Sequence, residues 1–192
     1  MDYPILNRGP DVAQAVVTHT IDANGNALPQ SGSTPGAIFA PINTRGTQTL
    51  TVTASSAYAS GNVVGGLLTF ISMVRGNGLG GVIQSVVLKD KAGQNVSYDL
   101  FLFDAPPTAP VDKTAIALTA ADLAKCIGVV PISGAALGAA STMGILTAAS
   151  LGLAYKITTV FGGYLYGILV TRGTPTYAST SDVSVDLIAL PD

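Results

Sequence analysis

From residue 47 onward apolar and polar positions alternate in short runs. In TQTLTVTAS (47–55), Leu50, Val52 and Ala54 fall on one side and Thr49, Thr51 and Thr53 on the other. That period of two places successive side chains on opposite faces of a strand. A Thr face is β-branched and polar, which suits a sheet surface half in water. Further strand-like runs follow at 63–74, 82–89, 96–103, 127–132, 143–147, 153–160, 164–171 and 183–190. Turn signals separate them: SGN at 60–62, RGNGLGG at 75–81, DKAGQN at 90–95, FDAPPTAP at 103–110, FGG at 161–163 and RGTP at 172–175. The last run alternates again, with Val183, Val185 and Leu187 inward and Ser184, Asp186 and Ile188 outward. Short strands at this spacing predict an all-β fold, a jelly-roll-like β-sandwich over residues 47–192.

One helix interrupts the strands. Thr119-Ala-Ala-Asp122 reads as a capping box with Asp in place of Glu, followed by one or two turns. The stretch GAALGAAST (134–142) is as much loop as helix, because its glycines interrupt any helical face.

Residues 1–46 follow other rules. Pro4, Pro10, Pro29, Pro35 and Pro41 all fall there, and DANGNALPQSGSTPG (22–36) is a turn-rich loop. Between the prolines only residues 12–21 read as an extended segment, rich in Val and Thr. Prolines make a hydrogen-bonded layer hard to build. Yet Tyr3, Ile5, Leu6, Val12 and Val16 are too apolar for a free solvated tail. We expect residues 1–46 to form an extended N-terminal arm and loop, with those five side chains as its partner-binding anchors. Strand addition through residues 12–21 is a suitable mode. The competing reading makes this segment the first strand of the domain's own sheet.

Composition narrows the function. Only 10% of the 192 residues are charged and the formal net charge is −2, which argues against a nucleic-acid binder that works by neutralising phosphates. The first residues, MDYPILNRGPDV, lack a basic segment followed by an apolar core, so a signal peptide is not expected. Residues 126–155 carry no charge, but their Gly, Ser, Thr and Pro content fits strands and loops better than a membrane span. No membrane partner is expected.

Catalytic and metal chemistry find little purchase. All eleven acids are Asp, which suits turns and caps more than acid–base work. His19 is the only histidine and Cys126 the only cysteine, so neither a triad nor a metal cluster has its usual complement. Asp22, Asn24 and Asn26 hint at a calcium loop, but Ser33 stands where a twelfth-position Glu belongs. Gly76, Gly78 and Gly81 match G-x-G-x-x-G, yet the following VIQSVVLKD is a strand pattern with no helix N-terminus for a pyrophosphate. The expectation is no enzyme, no cofactor and no metal.

The stretch beginning TLTVTASSAYASGNVVGG and running through GVIQSVVLKDKAGQN, DLFLFDAPP and ADLAKCIGVVPI resembles virion structural proteins of tailed bacteriophages. It covers about residues 49–132, with a looser echo in FGGYLYGILVTRGTPTYAS. The resemblance implies a non-enzymatic capsid decoration or cement protein located in the virion and assembled in the host cytoplasm. Its implied partners are the major capsid protein or other virion proteins. A homo-oligomer is expected as well, with a trimer first among the possible symmetries. A tail or fibre component is the nearest alternative. A carbohydrate-binding or depolymerising β-module is the alternative from another class, with Tyr164 and Tyr166 as its nearest approach to an aromatic platform.

Overall fold

The computed structural model describes residues 44–75, 79–134, 143–157 and 163–192. The chain divides into Met1–Ala40 and Pro41–Asp192, and every described residue belongs to the second unit. The described chain is nearly all β, in two antiparallel sheets consistent with a β-sandwich. In chain order its elements are β1 (Thr44–Thr49), β2 (Val63–Phe70), β3 (Gly80–Asp90), β4 (Tyr98–Phe103), α1 (Ala120–Leu123), β5 (Cys126–Ile132), β6 (Gly144–Ala148), β7 (Leu153–Lys156), β8 (Leu165–Thr171) and β9 (Val183–Pro191). The first sheet runs β1-β9-β3-β6, with β7 also pairing β3, and the second runs β2-β8-β4-β5.

The alternation read from the sequence sets which face of each strand is inward. Val183, Val185, Leu187 and Ala189 of β9 join Val86 and Leu88 of β3 and Leu100 and Leu102 of β4 in the main core. Leu50 and Val52 are buried there as expected, while Thr49, Thr51 and Thr53 are exposed. The strand itself sits earlier than the alternation suggests. β1 starts at Thr44, inside the stretch assigned to the arm, and ends at Thr49. Residues 50–58 then run beside 175–183, held by single bonds such as Leu50 N–H to Val183 C=O (2.9 Å) and Val52 N–H to Thr180 C=O (3.0 Å).

Of the G-x-G-x-x-G stretch, Gly76 and Gly78 lie outside the described residues, and the glycines at its end have a structural use. Gly80 and Gly81 open β3, where a Cβ on Gly80 would strike the Tyr155 carbonyl oxygen of β7. They let neighbouring backbones approach. The capping box also forms: the Thr119 hydroxyl accepts from Asp122 N–H (3.1 Å), and the Asp122 carboxylate accepts from Thr119 N–H (3.1 Å). The charge-free stretch 126–155 contributes β5, β6 and part of β7. Among the described residues no helix is long and apolar enough to cross a membrane.

Candidate functional site

The second sheet is apolar on its outer face as well as its inner one. Register places Val129, Phe101, Ile168 and Leu67 in one row across β5, β4, β8 and β2. Val63, Phe103, Ile168 and Val170 form a second buried cluster, with Phe101, Ile116, Leu118 and Tyr166 packed against it. This explains β8, LYGILVT, which reads as a nearly continuous apolar run because both of its faces are covered.

The cover is the chain between β4 and β5. Residues 104–125 leave the sheet and return over its outer face, carrying Ile116 and Leu118 onto the cluster. Aspartates tether this excursion. Asp112 accepts from Thr53 N–H (2.9 Å), the Tyr58 hydroxyl (2.8 Å) and Gly65 N–H (2.6 Å). Asp122, at the start of α1, also accepts from Thr108 N–H (2.8 Å). Its carboxyl lies well below the usual carboxylate range, chiefly because the Thr119 hydroxyl and the Thr108 and Thr119 amides favour the ionised form.

Cover and sheet do not close completely. A cavity of about 220 Å³ remains, lined by Val63, Ile168, Pro110, Val111, Ile116 and Leu118, with Thr108 and Thr114 among its polar neighbours. Val111, which lines it, is exposed, and so are Leu123 elsewhere on the excursion and Val129 on edge strand β5. Such a surface suits the apolar side chain of a partner, since few polar groups need satisfying on contact. Tyr164 and Tyr166 stand edge to face, ring centroids 6.5 Å apart.

Elsewhere the acids serve the scaffold. Buried Asp90 accepts from Ala92 N–H (2.9 Å) and Gln94 N–H (2.7 Å), closing the β3–β4 turn. Burial raises its carboxyl above the ordinary value; amide bonds from Gln94, Ala92 and Gly93 oppose the shift, and the charge of Asp182 adds to it. Asp182 accepts from Ala178 N–H (2.9 Å) and Ser179 N–H (2.8 Å). Three tyrosines complete a polar thread through the core. The Tyr98 and Tyr177 hydroxyls meet at 2.9 Å, and the Tyr177 ring stands edge-on to Tyr58 at 5.3 Å. Burial pushes Tyr58 up to about 12, helped by the Asp112 carboxylate. Among the described residues every buried side-chain nitrogen and oxygen has a hydrogen-bond partner, and no cluster of His, Cys, Asp and Glu could hold a metal.

The sequence-derived anchors Tyr3, Ile5, Leu6, Val12 and Val16 lie outside the described residues, as do His19, Asp22, Asn24 and Asn26. Cys126 is half-buried at the start of β5. The second sheet's outer layer was not anticipated. Its one signal is the short alternation of Ile116 and Leu118 with Ala115 and Ala117, inside a stretch that reads as loop. The chain matches no known protein family, and no curated protein is significantly similar to it.

Proposed function

We propose that this protein is a non-enzymatic virion structural protein that decorates a capsid surface and stabilises the head, and that its sandwich is a jelly roll. The strand order supports the jelly roll. Successive strands cross from one sheet to the other except at β4–β5 and β6–β7, which stay within a sheet. Two interleaved Greek keys produce that route.

One contrast carries the functional reading. The described acids that are buried, Asp90, Asp122, Asp182 and Asp186, are each engaged with backbone amides or with neighbouring cations and hydroxyls. Meanwhile Val111, Leu123 and Val129 remain outside. Reactive groups are spent on the scaffold and apolar ones are left at the surface, which suits a chain that works by contact. In this reading the anchors Tyr3, Ile5, Leu6, Val12 and Val16 add a second point of attachment to the virion.

Sedimentation of the purified full chain with heads lacking it tests the proposal. Binding to heads, with a higher temperature of head rupture, is the expected result. Co-fractionation with tails alone would favour a tail or fibre role. Specific hits on a glycan array would favour the carbohydrate-binding reading, for which the Tyr164–Tyr166 pair is the supporting feature. A shortened chain lacking residues 1–11 should fold as stably but bind heads less; unchanged binding removes the arm from the mechanism.

A further inference from the structure

Sheets grow at their edges, because every second residue of an edge strand turns its N–H and C=O away from the ladder. Among the described residues the two sheets end at β1, at β6 with β7, at β2 and at β5. Three of these edges are obstructed. On β2, Val63 N–H donates to Thr114 C=O (2.8 Å) and Val63 C=O accepts from Lys113 N–H (2.9 Å). The β2 register then breaks between Val64 and Leu67, where Gly65 and Gly66 have φ of 75° and 79°. On β5, Pro131 lacks a donor and the register shifts opposite Leu102 and Phe103. The β6/β7 edge is two pieces of five and four residues, parted by left-handed Ser150 and Gly152.

Among the described residues β1 has none of these devices. Its six residues, TRGTQT, contain no proline, and its register with β9 is unbroken from Thr44↔Ala189 to Thr49↔Ser184. Leu50 N–H donates to Val183 C=O (2.9 Å), one step further in the same register. The even positions of β1 are therefore those bonded to β9, and Arg45, Thr47 and Thr49 face outward with their backbone groups. The Thr47 carbonyl meets a local donor there, Gln48 Nε2 at 3.0 Å. The charge that would otherwise guard this edge is turned aside, since the Arg45 guanidinium is bound to Asp186 on the sheet face.

We propose that β1 is a self-association edge, at which two copies of this chain pair β1 against β1, antiparallel, about a two-fold axis at Thr47. The register is self-complementary. Arg45 lies opposite Thr49 of the second copy, and Thr47 lies opposite its own counterpart. All three outward-facing residues enter hydrogen-bonded pairs at two bonds each, about six in all. Centring on Gly46 or Gln48 keeps two of these pairs within β1, and centring on Arg45 sets like charges opposite each other, which is unfavourable. Centring between residues sets outward groups against residues whose groups β9 has already taken. The contact is isologous and closes on itself, so it ends at a dimer. It uses no residue of the arm anchors and stands independently of the virion reading.

Sedimentation velocity of the full chain over a dilution series tests this, with a species of twice 19.3 kDa expected at the concentrated end. Thr49→Pro removes an outward N–H and leaves the β9 bonds untouched. It should weaken the dimer roughly tenfold or more, two bonds being lost per dimer, with unchanged far-ultraviolet circular dichroism. Thr49→Val should associate as wild type. A second measurement covers the case in which Thr49→Pro fails to fold. In a Cys126→Ser background, Thr47→Cys should cross-link to itself through a short bismaleimide, and Thr49→Cys should not. Four results would overturn the proposal: a wild-type monomer throughout, a folded Thr49→Pro that associates normally, equal cross-linking at both cysteines, or association abolished by deleting residues 1–11, which would assign it to the arm.

Discussion

The two sheets share one core but treat their outer faces oppositely. The first sheet turns outward a row of Thr47, Asp186, Val87 and Thr147 across β1, β9, β3 and β6, with Thr47 and Thr147 in solvent and Asp186 enclosed beneath its cations. The second carries Val129, Phe101, Ile168 and Leu67; residues 104–125 are brought across to cover the last three, while Val129 on the edge strand stays exposed. A half-solvated sheet needs alternation, whereas a sheet covered on both sides can carry apolar residues at every position. The comparison teaches where stability resides on each outer face: in dispersion and burial on one, in charge on the other.

The sharpest way to break the comparison is to hollow the covered face. Phe103 is fully buried in the outer cluster, alongside Val63, Ile168 and Val170. Phe103→Ala should cost about 3–5 kcal/mol, the range for removing a buried ring, measured by urea unfolding. A cost below about 1 kcal/mol would mean that the excursion collapses freely onto the sheet and adds no independent layer.

The open face answers to charge. Asp186 is wholly enclosed, yet it lies on the side of β9 that the alternation sends outward. Arg45 and Lys89 close over it, Lys89 at 2.7 Å, and the Thr47 hydroxyl donates at 2.7 Å. Burial alone would raise its carboxyl, but Lys89, Thr47 and Arg45 outweigh that and hold it below the usual value. The unfolded chain therefore takes up the proton first, so the stabilisation is full above the ordinary carboxylate range near about 4 and drains as pH falls through the folded value. Asp186→Ala should cost about 1–3 kcal/mol at neutral pH, between an exposed and a fully buried pair because both cations remain partly in water. Asp186→Asn should flatten the acid limb of a plot of Tm against pH. Asp90 has the opposite sign: its carboxyl is raised, so its ionisation weakens the fold as pH climbs. Asp90→Asn should therefore gain on wild type as pH rises through the ordinary carboxylate range and on through the raised folded value. Parallel profiles for the two Asn variants would refute this division.

Much of the fold is legible in the sequence because strand, turn and cap signals are local. The alternation of 183–190, the DKAGQN turn and the Thr119–Asp122 box all depend on residues within a few positions of one another. What escapes is what depends on register. Nothing near Asp186 in sequence announces Arg45, which is 141 positions away, and nothing in FDAPPTAP announces that the following chain folds back over its own sheet. β1 is displaced for the same reason: Leu50 and Val52 alternate as a strand would, but their neighbour is the irregular 175–183 segment, so burial survives where the ladder does not. The partner anchors fall at Tyr3–Val16, while the exposed apolar residues of the described chain include Val111, Leu123 and Val129 around the second sheet and Ile71, Leu79, Met143 and Ile145 elsewhere. Composition pointed to the first; only folding assembles the second.

A smaller effect belongs to the tether of the cover. The Thr119 hydroxyl caps α1 and bonds Asp122 Oδ2 at 2.7 Å, which in turn holds Thr108. Thr119→Ala should cost about 1 kcal/mol, the usual worth of an N-cap. It should also increase amide exchange at Thr108 before it affects β8. If exchange rises equally throughout β4 and β8, cover and sheet unfold as one unit.

The smallest expected effect is also the cleanest test of the contrast, because among the described residues each outer face holds an Arg–Asp pair. On the first sheet Arg45 meets Asp186, whose side chain is 0% exposed. On the second, Arg172 Nε donates to Asp99 at 2.6 Å, with side chains 48% and 17% exposed. The chemistry is the same and both guanidiniums are about half exposed; the carboxylates differ, since Asp186 on the polar sheet is shut off from water and Asp99 on the apolar sheet is not. An exposed pair gains little, since water screens the attraction and two side chains must be ordered to make it. Asp99→Ala should therefore change stability by less than about 1 kcal/mol, and about half a molar of added salt should erase most of that difference. Asp186→Ala should remain destabilising in the same salt, because its carboxylate has no water to fall back on. Equal costs for the two variants, or equal sensitivity to salt, would mean that enclosure does not separate the two faces and that their difference is one of sequence alone.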